Sequence, residues 1–230
     1  PARTDKSKAL VLWSRTLELL DDAGYVGEFL KAGMQAHGAT ISTGRDILAS
    51  VSLDSIDSRY PYALMIPQSE TERILDEHLA ARGVTVERSV TDTGGGIDAT
   101  LRKANGETET LSADWLIGCD GAHSAVRHGL GFAFEGSTMR SDWALADGFV
   151  AGLEPKDRLH IFWHRDGILA FFPIVGDRWR VICDLGAAEG EGHRADPTLE
   201  ELQVLLRLRS GRELVMTDPY WLACFRINER

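Results

Sequence analysis

The residues best suited to chemistry lie close together, where an apolar run ends in an acid and a glycine. The run at 115–119 leads into Asp120 and Gly121, and Arg127 follows one short turn later. A buried parallel strand over this run would deliver Asp120 to its carboxyl end, which is where open α/β sheets bind ligands. There the carboxylate can accept hydrogen bonds from ligand hydroxyls, the glycine permits close backbone approach, and the arginine can face phosphate. The pattern predicts a dinucleotide site.

The same three residues also suit a structural interpretation. Asp120 can cap a short helix, Gly121 can form a turn, and Arg127 can lie on a solvated surface. Residue chemistry alone leaves both interpretations open.

The composition of the 230 residues is typical of a folded, soluble protein, with 43% hydrophobic and 26% charged residues. The formal net charge of −10 argues against a nucleic-acid partner, and no basic cluster offsets it. Cys119, Cys183 and Cys224 form no CxxC pair, which predicts reduced, mostly buried thiols in a cytoplasmic protein. No apolar run approaches the ~18 residues of a membrane span, and no signal peptide opens the chain, so no membrane association is expected.

The elements that must position the 115–127 segment alternate between helix and strand up to about residue 140. They are a helix that ends at Gly24, two short strands over 38–53, a helix from a Ser69/Glu72 capping box to Gly83, a strand over 84–90, a hairpin around Asn105 and Gly106, and the strand over 115–119.

The pattern changes beyond residue 140. Four successive strands predict an antiparallel meander, and a helix then starts at Asp196 and ends at Gly211. The four strands are expected over 143–151, 159–163, 168–174 and 179–185, and two more near 214 and over 220–227. This change predicts two domains, 1–140 and 141–230, with residues 38–60 adding strands to the second domain.

Several segments in this order resemble a known family, the FAD-dependent aromatic hydroxylases (group A, para-hydroxybenzoate hydroxylase-like monooxygenases). They are Lys8-Ala-Leu-Val-Leu, Arg15-Thr-Leu-Glu-Leu-Leu, Pro67-Gln68-Ser-Glu-Thr-Glu72, Asp120-Gly121-x-x-Ser124-x-Val126-Arg127 and Phe171-Phe172-Pro173. The resemblance implies an α/β fold (α+β overall), with a partial Rossmann-like FAD-binding domain and an antiparallel-sheet substrate domain.

The resemblance also implies roles for individual residues. Asp120 and Gly121 would lie near the flavin nucleotide, and Arg127 would contact the flavin or nicotinamide pyrophosphate. Gln68 would reach the flavin phosphate or ribityl chain. Lys8 and Arg15 would approach the flavin pyrophosphate, although a solvated face is the ordinary explanation of such cations.

The same resemblance places the second sheet at the floor and wall of an aromatic-substrate pocket. The candidate substrate contacts are Trp163, Phe171, Phe172 and Pro173. Strand alternation allows only about half of these side chains to face one side, and core packing is the usual role of such residues. No catalytic base is singled out, and the seven histidines form no metal pattern, so no metal is expected.

Two elements of the family are not found in these 230 residues: the GxGxxG phosphate loop and a Gly-Asp-Ala-Ala-His type segment. The chain is therefore expected to correspond to the interior of such an enzyme. Because glycine turns and helix N-termini supply much of the pyrophosphate binding, we expect the chain alone to hold FAD poorly.

The function implied for the intact protein is hydroxylation of a phenolic or polycyclic aromatic ring. NADH or NADPH would reduce FAD, and O2 would add to the flavin to form the C4a-hydroperoxide that transfers oxygen. Two alternatives stay open: a non-catalytic interaction module unable to hold FAD, and a flavin reductase or halogenase relative. The expected partners are a small aromatic substrate and O2, and assembly as a homodimer is left open.

Overall fold

A computed structural model describes residues 9–87, 91–92, 98–103, 105–188, 190, 192 and 194–229. The chain divides into two compact units. The sheet unit comprises Asp5–Leu75 and Thr138–Ile227, and the hairpin unit comprises Pro1–Thr4, Asp76–Ser137 and Asn228–Arg230. The expected division at residue 140 stays a prediction for the whole protein.

The described residues form a mixture of helices and strands, as the fold class requires. The helices are α1 (Ser14–Asp22), α2 (Val26–Ala32), α3 (Gln68–Ala80), α4 (Ala125–Gly129) and α5 (Leu199–Ser210). The strands are β1 (Val11–Leu12), β2 (Met34–Ala36), β3 (Gly38–Thr43), β4 (Asp46–Ser52), β5 (Ala63–Met65), β6 (Thr91–Asp92), β7 (Asp98–Arg102), β8 (Thr108–Ser112), β9 (Ser137–Thr138), β10 (Ser141–Ala151), β11 (Leu159–His164), β12 (Gly167–Ile174), β13 (Arg178–Ala187), β14 (Val215–Phe225) and β15 (Asn228–Glu229).

The sheet unit is built on a seven-stranded sheet in the order β14-β10-β13-β12-β11-β3-β4. Strands β11, β12 and β13 form an antiparallel meander, but the predicted meander of four strands is wrong, because β10 pairs with β13 and β14 and not with β11. Strand β3 joins β11 in parallel, and β4 pairs antiparallel with β3. The two strands expected near 214 and over 220–227 are instead one strand, β14, with a register shift opposite Gly148. Asp218 within that shift has φ +47°.

Helix α5 covers one face of this sheet, here called the α5 face. A capping box between Thr198 and Glu201 starts the helix, slightly later than predicted, and Gly211 ends it in the left-handed conformation. Leu202 and Leu206 are fully buried against side chains of β10, β12 and β13. The large apolar side chains of the α5 face therefore form the main core.

The opposite face of the sheet, here called the second face, is covered differently. Its β12 side chains Phe172 and Ile174 pack against residues of a small sheet with the order β1-β5-β2. Its β10, β13 and β14 side chains are mostly half-buried. A separate cluster around Leu17, Phe29 and Ile74 joins α1, α2 and α3 to the small sheet.

The predicted capping box of α3, between Ser69 and Glu72, is wrong. The helix begins at Gln68, so Ser69 lies inside it instead of preceding it, and Glu72 accepts a hydrogen bond from the Gln68 side chain at 2.8 Å. The predicted helix ends at Gly24 and Gly83 are confirmed. Each glycine lies just after a helix and has a positive φ, +82° for Gly24 and +74° for Gly83.

The hairpin unit confirms one prediction and contradicts two. Strands β7 and β8 pair antiparallel around the Asn105–Gly106 turn, as expected. Residues 84–87 form no strand, and residues 88–90 lie outside the described residues. Residues 115–119 are not a buried parallel strand: Trp115 and Ile117 are 87% and 83% exposed. A parallel strand is buried only when neighbouring strands and covering helices enclose it, and no described strand pairs with this segment.

The cysteines are free, as predicted, but Cys119 is exposed while Cys183 is buried. None of the helices in the described part of the chain is long and apolar enough to cross a membrane.

Candidate functional site

The Asp120 carboxylate is exposed and forms part of a compact turn at the start of α4. Its Oδ2 accepts hydrogen bonds from the backbone N–H groups of Ala125 at 2.6 Å and Val126 at 3.4 Å. The Ser124 hydroxyl and these N–H donors hold the pKa of Asp120 below its ordinary value, so the group is a carboxylate at neutral pH. A carboxylate offers about four acceptor positions, so this capping role leaves positions for a ligand hydroxyl.

Gly121 gives the turn its shape. It has φ +77°, and a Cβ placed on it would have no atom of the described structure within 4 Å. The backbone here is therefore open to the close approach of a ligand. Together, the ionised Asp120 and the uncovered Gly121 fit the hydroxyl-rich part of a nucleotide.

Arg127 is folded back onto its own turn. Its Nη1 donates to the Ala122 carbonyl at 2.9 Å, its Nη2 lies 2.6 Å from His128 Nε2, and its guanidinium lies 4.5 Å from the centre of the Phe134 ring. A pyrophosphate contact would require the side chain to release some of these partners. Contact between Arg127 and a pyrophosphate stays a prediction.

Gln68 and Arg15 lie in the sheet unit, and both side chains have protein partners. Gln68 Oε1 accepts from the Ala9 N–H at 3.3 Å, which ties the start of α3 to the residues before β1. Arg15 is exposed and pairs with Glu18 at 3.1 Å. Lys8 lies outside the described residues. The flavin contacts expected of these three residues stay predictions.

Strand alternation separates the four candidate substrate contacts. Phe171 lies on the α5 face with 0% exposure, packed edge-on against Phe162 and Trp179. This packing leaves no surface of Phe171 for a ligand. Its neighbour Phe172 lies on the second face and is half-buried.

The other two candidates differ in accessibility. Pro173 is buried and lines a small cavity with Met34, Ile174 and Arg178. Trp163 is 59% exposed on β11. Of the four, Phe172 and Trp163 therefore offer the accessible ring surface.

Sequence reasoning missed an ion pair in the middle of the second face. Arg180 Nε and Nη2 donate to Asp147 Oδ1 and Oδ2, both at 2.8 Å, and the two side chains are only 2% and 12% exposed. The residues stand opposite each other on β13 and β10. A bidentate pair of this kind is a strong, directional contact. Strand alternation predicts which residues of one strand share a face. It does not predict the pairing register of β10 with β13, which places Asp147 opposite Arg180.

Apolar residues, some buried and some half-buried, lie on the same face beside the ion pair. Leu145 on β10 stands opposite both Ile182 on β13 and Ala223 on β14, and Trp143 stands opposite Phe225. No described helix covers this part of the face as α5 covers the other.

The geometry agrees with what comparison with known proteins shows. A family model described as an FAD binding domain matches residues 1–230. The chain belongs to this FAD-binding family.

Several relatives of this chain are named as monooxygenases. The chain is 31% identical to a 6-methylpretetramide 4-monooxygenase of Streptomyces rimosus, over 100% of the chain and 42% of the relative. It is 28% identical to a pentachlorophenol 4-monooxygenase of Sphingobium chlorophenolicum over 100% of the chain and 44% of the relative. The chain thus spans less than half the length of these relatives.

A solved structure shows the same fold. The OxyS anhydrotetracycline hydroxylase from Streptomyces rimosus matches 99% of this chain and 46% of its own, with a TM-score of 0.69 and 26% identity. The mixed helix-and-sheet fold class and the family predicted from the motifs are therefore confirmed.

Proposed function

We propose that this protein is an FAD-dependent monooxygenase that hydroxylates a phenolic or polycyclic aromatic ring, with NADH or NADPH and O2 as co-substrates. The observation that carries the proposal is the FAD-binding family match over residues 1–230, supported by relatives named for phenol and tetracycline-type substrates. When bound, FAD supplies the redox and oxygen chemistry, which amino-acid side chains cannot.

The tasks left to the hairpin unit are binding and orientation. The ionised Asp120 carboxylate would accept hydrogen bonds from hydroxyls of the cofactor, and the left-handed turn at Gly121 would let the backbone approach it. Arg127 would add a cation for a pyrophosphate once released from Ala122 and His128.

Gln68, Arg15 and Lys8 are further proposed cofactor contacts, and the substrate wall is proposed on the sheet unit. The second face of the sheet supplies apolar area against which an aromatic ring can bury its surface, with Phe172 and Trp163 as the proposed contacts. Phe171 would support this wall from the α5 face.

The test is flavin binding followed by turnover. Purified intact protein is mixed with FAD, freed of unbound cofactor and examined for flavin absorbance, and NADH and NADPH oxidation is then measured with and without phenols and polycyclic phenols. We expect retained flavin, ring-stimulated NAD(P)H consumption and a product heavier by one oxygen atom. Protein that stays colourless contradicts the proposal, and NAD(P)H oxidation without a hydroxylated product identifies a reductase instead.

A further inference from the structure

The guanidinium of Arg209, at the end of α5, is buried without a carboxylate partner. The residue is 3% exposed, and none of its contacts within the described part of the chain is with an acid. Its Nε atom is also buried and has no acceptor among the described residues. Burying a charge is costly unless the charge is paired or well hydrogen-bonded, so the contacts that this group does make are informative.

The Arg209 side chain bonds to the end of the β11–β12 hairpin, here called the β11–β12 tip (residues 163–168). Nη2 donates to the Asp166 carbonyl oxygen at 2.7 Å, and Nη1 donates to the Ile168 carbonyl oxygen at 3.1 Å. Nη1 also lies 3.1 Å from Sγ of Cys183 on β13. Burial raises the pKa of the Cys183 thiol to about 11, so this sulfur is uncharged at neutral pH and the two carbonyl groups supply the main polar contacts.

A planar guanidinium suits this contact, because its N–H groups point in fixed directions. The two carbonyl groups belong to the residues on either side of Gly167, which has φ +120° and where any Cβ would lie 2.9 Å from Asp184 Oδ2. The β11–β12 tip is therefore held by α5, while its glycine packs closely against β13. A lysine ammonium would keep the charge of Arg209 but could not present the same N–H donors in one plane.

Trp163 is the side chain that this arrangement would position. It stands opposite Ile168 on the neighbouring strand. It lies on the second face, since its neighbour Phe162 packs in the core of the α5 face. Trp163 is 59% exposed, and none of the ring contacts among the described residues includes it. The position of the indole therefore depends mainly on the backbone of the β11–β12 tip.

We propose that Arg209 is a positioning residue that fixes the β11–β12 tip and, through it, holds Trp163 on the second face for contact with the aromatic substrate. This inference rests on the proposed function and deepens it, because it assigns a buried residue on the opposite side of the sheet to the substrate wall. Leu202 and Leu206 supply the packing of α5 against the sheet. Loss of the guanidinium should therefore release the tip and leave the main core in place.

Two substitutions of Arg209 test the role of the guanidinium. Arg209→Met keeps a long apolar chain and removes every donor, whereas Arg209→Lys keeps the charge and changes the donor geometry. Arg207→Met, at an exposed position on the same helix, is the matched control. Trp163→Leu removes the ring, and Trp13→Leu, at another exposed tryptophan, is its control.

The first measurement follows the Trp163 ring by fluorine NMR of the intact, FAD-treated protein labelled with fluorotryptophan. The Trp163 signal is the one that Trp163→Leu removes. We expect Arg209→Met to shift, broaden or split this signal, Arg209→Lys to do so to a smaller extent, and Arg207→Met to leave it unchanged. The Trp13 signal, identified in the same way, should stay unchanged in all three variants, which separates local release of the tip from a general loss of structure.

The second measurement tests whether Arg209 acts on a ligand through Trp163. Dissociation constants of 2-naphthol are compared by equilibrium dialysis for the unaltered intact protein, Arg209→Met, Trp163→Leu and the double variant. Residues that act through one another have non-additive effects. We expect Arg209→Met to weaken binding by about tenfold when Trp163 is present and by less than about twofold when it is replaced by leucine. Arg207→Met and Trp13→Leu should leave the constant unchanged.

An unchanged Trp163 signal in Arg209→Met, full recovery of both measurements in Arg209→Lys, or additive effects of the two substitutions would each overturn the inference. If Arg209→Met does not fold, Arg209→Lys decides the question, because naphthol binding equal to that of the unaltered protein contradicts a role for the planar donor group. Additive effects in a protein that still hydroxylates rings reject the inference alone. An unaltered protein whose NAD(P)H oxidation does not respond to any ring rejects the proposed function.

Discussion

Asp120 shows how a single residue can meet a structural and a binding requirement together. Its carboxylate caps α4 through Ala125 and Val126, and the same hydrogen bonds keep it ionised. A preformed anion on an open glycine turn is already oriented for ligand hydroxyls, so the structural and binding interpretations of the motif are compatible.

In the intact protein, replacing Asp120 with alanine should weaken FAD retention, because it removes the proposed hydroxyl acceptor and loosens the turn that presents Gly121. The measurement is the ratio of bound flavin to protein after desalting. Asp114→Ala, an exposed acid a few residues earlier, is the matched control and should keep the unaltered protein's ratio. Flavin content equal to the unaltered protein in Asp120→Ala would remove this residue from the site.

We expect His160 to make the free energy of unfolding depend on pH. It is 3% exposed, its Nε2 lies 2.7 Å from the Pro155 carbonyl oxygen, and its ring packs edge-on against Trp179. Burial lowers the pKa of His160, although the Pro155 carbonyl opposes the shift. Below the ordinary histidine pKa of about 6.5, the unfolded chain therefore gains a proton that the folded one does not.

The stability of the sheet unit should accordingly fall as pH drops from about 7 toward the lowered folded pKa of His160, and the contribution should be constant above that range. His160→Phe keeps an aromatic ring and removes the titration. Urea unfolding at several pH values should show a smaller decrease of unfolding free energy with acid in the variant. Identical slopes would show that His160 does not titrate differently in the two states.

At the scale of elements, patterns that are local in sequence were predicted well. The terminal glycine of α5, the β7–β8 hairpin and the β11–β12–β13 meander all follow from residues a few positions apart. The prediction of a buried strand over 115–119 was wrong, because an apolar run becomes a buried strand only when strands and helices elsewhere in the fold cover it. The Arg180–Asp147 pair escaped prediction for the same reason, since 33 positions separate its members.

Breaking that ion pair should be costly. Asp147→Ala leaves the Arg180 charge buried without its bidentate partner, and removing one member of a buried pair typically costs about 3–5 kcal/mol. Glu213→Ala, which removes an exposed partner of Arg207, is the control and should cost no more than about 1 kcal/mol. Denaturant unfolding measures both, and equal effects would show that the buried pair adds little to the fold.

At the scale of the molecule, the two units differ in how much apolar surface they bury. The three hydrophobic clusters of the described residues lie almost wholly in the sheet unit. In the hairpin unit, large side chains such as Trp115, Ile117 and Phe132 are exposed, and among the described residues of this unit Ala99 is the only buried apolar one. Few buried contacts imply low local stability.

Hydrogen–deuterium exchange of the 230-residue chain should therefore separate the units. Backbone amides of β10, β12 and β13 should be the most protected, and those of residues 105–136 should exchange many times faster, because local opening there exposes little additional apolar surface. Mass spectrometry of peptides from the two units measures this directly. Equal protection in both units would show that the hairpin unit has a core which its side-chain exposure does not reveal.

The sequence by itself determined the family, the helix and hairpin signals and the Asp120-Gly121 turn, because each depends on residue types a few positions apart. Tertiary structure alone decided which side of the sheet each aromatic residue occupies, that Phe171 is core while Phe172 lies on the second face, and that Arg180 pairs with Asp147. The physical reason is that strand alternation fixes only the relative orientation of neighbours. Which face is covered, and which residue stands opposite, depends on α5 and on pairing between strands far apart in the chain.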